Sequence, residues 1–566
     1  MMFTFMRADC LGWLRLGFIG LFLCASANAQ NQPAQKSSNA DGKFIIAGTV
    51  VSSISGAPLG RARVTLIDAA RSTNPGNAAS VVTSENGQFA FTSIGRHKFV
   101  LQGARRGFIT ARYEQHEQFS TAVVTGPGFD TEHLVLKLTP LAMVSGKIID
   151  EAGEPVRSAN VRLYMEDRSA GITHVLPRGS DTTDDEGYYE FAALPPGNYF
   201  VSVSTRPWYA LDLALGARAD RFSRAGAPPR IATELDAAYP TTYNDGATDS
   251  QEASAITVRG GDRVQADIHL SPVPVLHLIF RVSEDPQQGL AMPMLEKRVF
   301  DSTEPAETGG MQNIAPGVFE MTGVPAGKYL VQVRDPQTGE PQQATEMNLV
   351  KDGQELDAGQ SERAAHVKFL VKMPHDEPLP KVMTLALQDS QLRMVALRAV
   401  DGSGEADFAS VPAGKYTVLT FSANERYAVH RMVSSGLEIS GHELNLIPGS
   451  SSDVTLFVVA GIVNVTGYVK RGDKPAGGVM VALIPKDPQA HLEMFRRDQS
   501  DLDGSFTLRE VIPGTYTLIA VEDAWGFPWQ QPEALNRYLQ HGQNLIIGEL
   551  MTNAVHLPDA VEVQPR

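Results

Sequence analysis

Five stretches of the sequence repeat one pattern, in which a glycine is followed by apolar residues two, four and seven positions later. They read "GQFAFTSI" (87–94), "GYYEFAAL" (187–194), "GVFEMTGV" (317–324), "GEADFASV" (404–411) and "GSFTLREV" (504–511). Residues two apart on a β-strand share a face, so the first two apolar positions point into one core. The repeat therefore predicts a strand with one buried face in each copy.

A tight turn follows each of the last four copies. The turns read "LPPGNY" (194–199), "VPAGKY" (324–329 and again 411–416) and "VIPGTY" (511–516), while the first copy has "GRHKF" with His97 at the glycine position. Proline fixes φ, glycine tolerates positive φ, and alternating apolar residues resume after the turn. The pattern predicts a β-hairpin in every copy.

The distance between successive turns indicates the kind of repeat. The turns lie about 90 to 130 residues apart, which is typical of β-sandwich domains and too long for the 20–50-residue units of a solenoid. A chain of 566 residues also exceeds what one core can serve. The sequence therefore predicts an all-β protein, a tandem array of about five β-sandwich modules.

The first, second and fifth units resemble a known family. The second opens with a glycine-containing strand and polar turn, Gly146 to Pro155, and continues with "TDDEGYYEFAALPPGNY" at 183–199. These motifs resemble the carboxypeptidase regulatory-like module, a transthyretin-like or prealbumin-like (Ig-like) β-sandwich that follows the catalytic domain of some metallocarboxypeptidases. Starch-binding-like modules share this architecture. The resemblance implies a fold and an exported location, and implies no activity.

The predicted organisation divides the chain at the strand patterns. It comprises a signal peptide (1–29), a disordered lead-in (30–42) and sandwiches at 43–140, 141–272, 273–360, 361–455 and 456–566. The second sandwich carries an aromatic insertion at 205–245, the third and fourth are degenerate, and the fifth contains a short C-terminal helix.

The first thirty residues have the features of a secretory signal. Arg7 and Arg15 precede a short apolar core, and "ANA" precedes the expected cleavage between Ala29 and Gln30. We expect an exported protein that is periplasmic, outer-membrane-associated or secreted. No transmembrane segment is predicted in the mature chain, because its longest uncharged stretch, 454–469, is short and rich in β-branched residues.

Charge and motifs exclude several functional classes. The formal net charge of −15 argues against nucleic-acid binding, which needs a basic surface. None of the 13 histidines has glutamate three residues later, and the chain has no Gly-x-Ser-x-Gly or Walker motif. Both cysteines, Cys10 and Cys24, fall in the signal. We therefore predict a protein that is not an enzyme and has no cofactor.

One segment resembles a calcium loop. "QSDLDGSFTLRE" (499–510) places Asp501, Asp503 and Glu510 at ligand positions, but Gln499 replaces the first aspartate. Strands rather than helices are expected on both sides, and the other copies have acidic or amide residues before the same glycine. Turn formation explains this composition without a metal, so no metal site is predicted here.

Aromatic residues outside the repeat are the candidate binding residues. Trp208, Tyr209, Tyr239 and Tyr243 lie in the insertion of the second unit. They predict either a binding surface or a small additional core. The binding surface would stack sugar rings or form a groove for a peptide, and the additional core would bury the four side chains.

Two tryptophans of the last unit are further candidates. Trp525 and Trp529 precede a helical pattern that begins near Pro532. They predict either packing beneath a capping helix or a ligand platform.

The predicted function is binding and spacing at the cell envelope without catalysis. The expected partners are a polysaccharide, favoured by analogy with starch-binding-like modules, or a cell-surface protein. The alternatives are a purely structural or assembly spacer, and an accessory subunit of a separately encoded peptidase or outer-membrane transporter.

Overall fold

The architecture is described from a computed structural model. It describes residues 44–71, 78–167, 173–210, 235–281, 292–334, 341–357, 364–373, 377–389, 394–422, 427–439, 443–460, 462–488, 491, 494–526, 532–548 and 554–566. The predicted signal peptide, its cleavage site between Ala29 and Gln30, and the lead-in lie outside the described residues.

Five two-layered β modules follow one another along the chain. Module 1 contains β1 Phe44–Ser52, β2 Arg63–Asp68, β3 Ala79–Val82, β4 Gln88–Ile94, β5 Lys98–Ala104, β6 Ala111–Arg112, β7 Val123–Val124 and β8 Leu134–Leu138. The strands of module 2 and its insertion are β9 Ala142–Ile149, β10 Asn160–Asp167, β11 His174–Thr182, β12 Tyr188–Leu194, β13 Gly197–Ser204, β14 Ala237–Ala238, β15 Thr242–Tyr243, β16 Ile256–Val258, β17 Arg263–Gln265 and β18 Ile268–His269.

The third and fourth modules keep the same order of strands. Module 3 contains β19 Val273–Arg281, β20 Met292–Val299, β21 Ser302–Pro305, β22 Gly310–Ala315, β23 Val318–Pro325, β24 Gly327–Arg334, β25 Pro341–Leu349 and β26 Gln354–Asp357. Module 4 contains β27 Ala365–Lys372, β28 Met383–Asp389, β29 Met394–Ala399, β30 Glu405–Val411, β31 Gly414–Ser422, β32 Ala428–Ser434, β33 Leu437–Ile439, β34 Glu443–Leu446 and β35 Ser451–Val459.

The fifth module adds a helix to this plan. It contains β36 Val463–Arg471, β37 Lys474–Pro475, β38 Met480–Pro485, β39 Arg496–Gln499, β40 Ser505–Val511, β41 Gly514–Val521, the α-helix Pro532–Leu539, β42 Gln543–Ile547, β43 Val555–His556 and β44 Val561–Gln564. Strand β44 pairs in parallel with both β36 and β41, which joins the two layers into one nine-stranded sheet.

The strands on either side of each repeated turn belong to different layers. In module 2, β12 pairs with β9, whereas β13 pairs with β10. The same exchange of layers occurs in the other four modules. The predicted hairpin is therefore wrong, and the turn is an arch that crosses the sandwich. Alternation identifies the buried face of a strand but carries no information on its pairing partner.

A β-bulge explains why the third apolar position is seven residues after the glycine rather than six. Between Phe191 and Leu194, β12 advances three residues while β9 advances two, and Ala193 has a φ of 59°. The extra residue reverses the parity of the strand, so that Leu194 returns to the buried face. The same register shift occurs in each of the other modules.

The tyrosine of the turn closes each of the last four arches. Its hydroxyl donates a hydrogen bond to the carbonyl oxygen four residues earlier, at distances of 2.6 to 2.8 Å. The tyrosines are Tyr199, Tyr329, Tyr416 and Tyr516, and all are buried. The repeated motif thus supplies both the turn and the polar partner of a backbone carbonyl that the turn leaves exposed to the core.

Each module has its own hydrophobic core, and the modules also contact one another. Strand β14 of the module 2 insertion pairs with β19 of module 3. Module 1 contacts module 5 through hydrogen bonds that join residues almost 400 positions apart. Among the described residues, no helix has the length and apolar character needed to cross a membrane.

Candidate functional site

A cavity of about 1220 Å³ lies where modules 2, 3 and 4 meet. Both copies of "VPAGKY" line it, through residues 325–329 of module 3 and residues 412–416 of module 4. Each of these two arches closes its own sandwich and also forms part of the cavity wall between modules. The cavity is large enough for a drug-sized molecule or a short polymer segment.

A polar cluster forms the wall between modules 2 and 3. The Arg162 guanidinium of β10 forms an ion pair with Glu304 of β21, and the Tyr164 hydroxyl donates to the Glu304 carboxylate at 2.9 Å. Burial, followed by the nearby Glu304 charge, raises the pKa of Tyr164 above its usual range, so this hydroxyl stays a donor. The cluster fixes the two modules relative to each other at the edge of the cavity.

Glu151 connects the cavity to the surface of the insertion. It accepts hydrogen bonds from Tyr239, which lines the cavity, at 2.6 Å and from Tyr209 at 2.5 Å. Burial opposes ionisation of Glu151, but the two hydrogen bonds outweigh it and hold its pKa below the usual range. The bond to Glu151 in turn raises the pKa of Tyr209 to about 12.

Trp208 extends this arrangement to solvent. Its ring meets that of Tyr209 edge to face, with centroids 5.7 Å apart, and the Trp208 side chain is 88% exposed. An indole so exposed, beside a tyrosine held in place by a carboxylate, is available for stacking. Of the four predicted residues in the insertion, Trp208, Tyr209 and Tyr239 thus lie along one connected path.

Tyr243 faces a different neighbour. It is fully buried, and its ring meets Phe300 of module 3 at a centroid distance of 5.6 Å. Phe200 and Val299 belong to the same small core. The structure places Tyr243 in the packing between modules 2 and 3.

The calcium-like segment binds a side-chain cation. The Lys98 ammonium of module 1 lies 2.9 Å from Asp501 and 3.3 Å from Asp503, and it also contacts Ser505. Glu510 lies at the far end of the extended strand β40 and does not join them. Within the described ranges, no group of three or more His, Cys, Asp or Glu side chains is arranged to hold a metal ion.

Trp525 lies at the contact between modules 1 and 5. Its ring stacks on His116 with centroids 4.8 Å apart and planes inclined by 6°, and Phe119 lies 5.7 Å away. The following helix packs Leu535 and Tyr538 against module 5. The other tryptophan predicted here, Trp529, lies outside the described residues.

Sequence reasoning missed Glu151, Arg162 and Glu304. Each looks like an ordinary charged residue of a turn or an exposed strand position. The fold of module 2 brings Tyr209 and Tyr239 to Glu151, and the meeting of modules 2 and 3 brings Arg162 to Glu304. One signal pointed to the cavity, namely the identity of the two "VPAGKY" turns. From the sequence alone, that identity indicates architecture and not a site.

Two family models match parts of the chain. The model of the carboxypeptidase regulatory-like domain matches residues 143–211, within module 2. The model described as "BOS complex subunit NOMO1-like, second beta sandwich domain" matches residues 455–538, within module 5. The matches support a multi-domain β-sandwich protein and confirm the predicted resemblance of the second unit.

Solved structures of low similarity were also found. The TIE protein of Bacillus anthracis has 13% identity and a TM-score of 0.17, with 75% of each chain covered. GBS52, the minor pilin of Streptococcus agalactiae, has 11% identity and a TM-score of 0.20 over 41% of this chain and 97% of that one. The shaft pilin SpaA of Lactobacillus rhamnosus GG has 10% identity and a TM-score of 0.19 over 42% and 100%.

These scores carry no information on function. The comparison with curated protein sequences found no match.

Proposed function

We propose that this chain is an exported, non-catalytic binding protein of the cell envelope, in which the inter-module cavity and the adjacent Trp208 bind a saccharide segment of a surface polymer. The exposed indole of Trp208 beside the Tyr209–Glu151–Tyr239 bridge carries this proposal. The remaining modules space and orient this surface.

The chemistry of the surface suits a sugar. An indole face packs against the C–H groups of a pyranose ring, while carboxylates and hydroxyls exchange hydrogen bonds with its hydroxyl groups. The cavity wall offers Asp249, Glu307 and Thr303 next to the ion pair of Arg162 with Glu304. A neutral polyol can use such a mixed wall without leaving a buried charge unpaired.

The carboxylate chemistry favours binding over glycoside hydrolysis. A hydrolase needs a carboxylic acid whose pKa is raised so that it can donate a proton. Glu151 has the opposite shift, because Tyr209 and Tyr239 stabilise its ionised form. Asp498, whose pKa is raised to about 6, belongs to module 5 and does not line the cavity.

The test is retention of the processed chain on purified envelope polysaccharides and peptidoglycan. We expect Trp208→Ala to lower retention about fivefold or more, since stacking of one ring on an aromatic side chain, as known for nucleic-acid bases, contributes on the order of 1–3 kcal/mol. Tyr468→Ala is the matched control, because Tyr468 is also an exposed aromatic residue but lies on module 5. Equal retention of wild type and Trp208→Ala would overturn the stacking surface.

A structural or assembly role is the second candidate. It is supported by the use of Tyr243 and Trp525 in contacts between modules, where they stabilise the arrangement rather than face solvent. Wild-type protein that binds no envelope polymer would favour this candidate. An accessory role beside a separate peptidase or transporter would instead appear as co-purification with that partner.

A further inference from the structure

The contact between modules 1 and 5 is built like a plug in a socket. The plug is the module 5 segment 499–503, and the socket is formed by β5 and the 114–122 segment of module 1. Backbone and side chain both take part: Leu502 N donates to Ala122 O at 3.1 Å, and Ala122 N donates to Asp501 Oδ1 at 2.9 Å. The Leu502 side chain packs against the core of module 1.

The polar groups of the plug are matched one by one. Gln499 is 2% exposed, and its amide nitrogen donates to Glu114 O at 2.6 Å and to Thr121 Oγ1 at 2.8 Å. Its amide oxygen lies 3.1 Å from His116 Nδ1. A buried amide with all these partners specifies one mode of docking, since any other would leave it unsatisfied.

Three ion pairs flank the plug; module 1 supplies the cation in two of them and module 5 supplies it in the third. Lys98 of module 1 pairs with Asp501 and Asp503 of module 5, while Arg497 of module 5 pairs with Glu117 of module 1 at 2.8 Å. The Arg497 side chain is 4% exposed, so it depends strongly on this carboxylate. Each side of the contact carries both a basic and an acidic group, and the two sides are formed by different segments of the chain.

Such a contact can be made equally well by another chain. Its two faces belong to modules separated along the sequence by three others, so no short connector restricts it to one copy. A contact between two different faces is heterologous, and heterologous contacts join copies head to tail. Within one chain, the same contact is favoured by the high effective concentration of the tethered faces.

We propose that the module 1–module 5 contact is an exchangeable latch: it closes within one chain, and when it opens, the 499–503 plug binds the socket of a second copy of this chain. The occupant of the free socket is thus the same segment that occupies it in the closed chain. The latch rests on the contacts above and is independent of saccharide binding.

Charge reversal across the Glu117–Arg497 pair tests the latch. Glu117→Arg or Arg497→Glu alone places two like charges at a shielded position, so each variant opens. In an equimolar mixture, the plug of the Glu117→Arg variant still carries Arg497 and can bind the socket of the Arg497→Glu variant, which still carries Glu117. The second contact joins the two reversed side chains, which also have opposite charges. We expect each variant alone to sediment as a monomer and the mixture to form a species of twice the mass.

The double variant Glu117→Arg with Arg497→Glu is the matched control. It restores opposite charges within one chain, so it should be monomeric and should unfold at the wild-type temperature, which shows that neither change prevents folding. A mixture that stays monomeric would overturn the latch. Dimers of equal amount in each single variant would also overturn it, because the pairing would then not depend on these charges.

Discussion

At the scale of the residue, single polar groups determine how the sandwiches close and how they respond to pH. The hydroxyls of Tyr199, Tyr329, Tyr416 and Tyr516 each satisfy one carbonyl of the arch. A phenylalanine would fill the same space in the core but leave that carbonyl without its partner, which costs about 1–3 kcal/mol for a buried group. This requirement explains tyrosine at a position where the apolar pattern alone would accept phenylalanine.

Asp498 gives the protein a predicted dependence on pH. Burial raises the pKa of Asp498 to about 6, although its carboxylate accepts a hydrogen bond from Thr507 N at 2.6 Å. Because the folded pKa exceeds the unfolded value, the contribution of this group to stability is fully present at low pH and is lost as pH rises through about 6.

Asp498→Asn removes that loss and keeps an acceptor for Thr507. We expect the variant to be more stable than wild type by about 3 kcal/mol at pH 7 and equal to it near pH 3, as measured by urea unfolding at each pH. Asp473→Asn, at an exposed turn, is the control, and the stability difference between this variant and wild type should not grow with pH. A stability difference that does not change with pH would contradict the assignment to Asp498.

At the scale of the element, the glycine that opens each repeat is a backbone requirement. Gly187 has a φ of 70°, and a Cβ there would lie 2.5 Å from Ile148 O. The equivalent glycines Gly87, Gly404 and Gly504 also have positive φ and face a carbonyl oxygen of the first strand within 2.3 to 2.9 Å. The repeat thus needs glycine both for its conformation and for the approach of the neighbouring strand.

Gly187→Ala and Gly153→Ala separate these two requirements. Both glycines have positive φ, but a Cβ at Gly153 would meet nothing within 4 Å. We expect Gly153→Ala to lower the free energy of unfolding of its module by about 1 kcal/mol and Gly187→Ala to lower it by at least about 2 kcal/mol more. If urea unfolding showed equal losses of stability in the two variants, the close approach of Gly187 to Ile148 O would contribute nothing to the requirement for glycine.

The elements also show what the sequence can predict. The positions of Phe89, Phe191 and Phe506 in buried strands followed from alternation, and the fold class followed from the spacing of the repeats. The arch did not follow, because β12 and β13 alternate in the same way whether they pair with each other or with β9 and β10. In the sequence, the bulge at Ala193 appears only as a spacing of three residues between Phe191 and Leu194. That spacing indicates a bulge only when the pairing of β12 with β9 is known.

The candidate site was less predictable than the fold. Trp208 and Tyr209 stood out because they fall outside the repeat, but nothing in "DEAG" distinguishes Glu151 from the acidic residues of other turns. From the sequence, Asp501 and Asp503 are turn residues whose spacing resembles a calcium loop, and no cation is predicted there. In the structure they bind a side-chain cation, Lys98, about 400 residues away. Long-range pairing of this kind leaves no local pattern.

At the scale of the whole molecule, the modules form a closed array rather than an extended string. The arches of modules 3 and 4 line one cavity, module 2 completes its wall, and the plug of module 5 closes on module 1. With several cores and a separable latch, the protein should unfold in more than one step. Its large negative charge favours the opened form at low salt, since self-repulsion opposes a compact arrangement.

The distance between modules 1 and 5 tests this account most directly. The chain has no cysteine after Cys24, so spin labels on Gln118→Cys and Asp523→Cys of a protein that lacks residues 1–29 report on this contact alone. These positions lie close to His116 and Trp525, whose rings are stacked 4.8 Å apart. We predict a short, narrow distance distribution that becomes long and broad in Glu117→Arg; a long and broad distribution in the wild type would contradict the closed array.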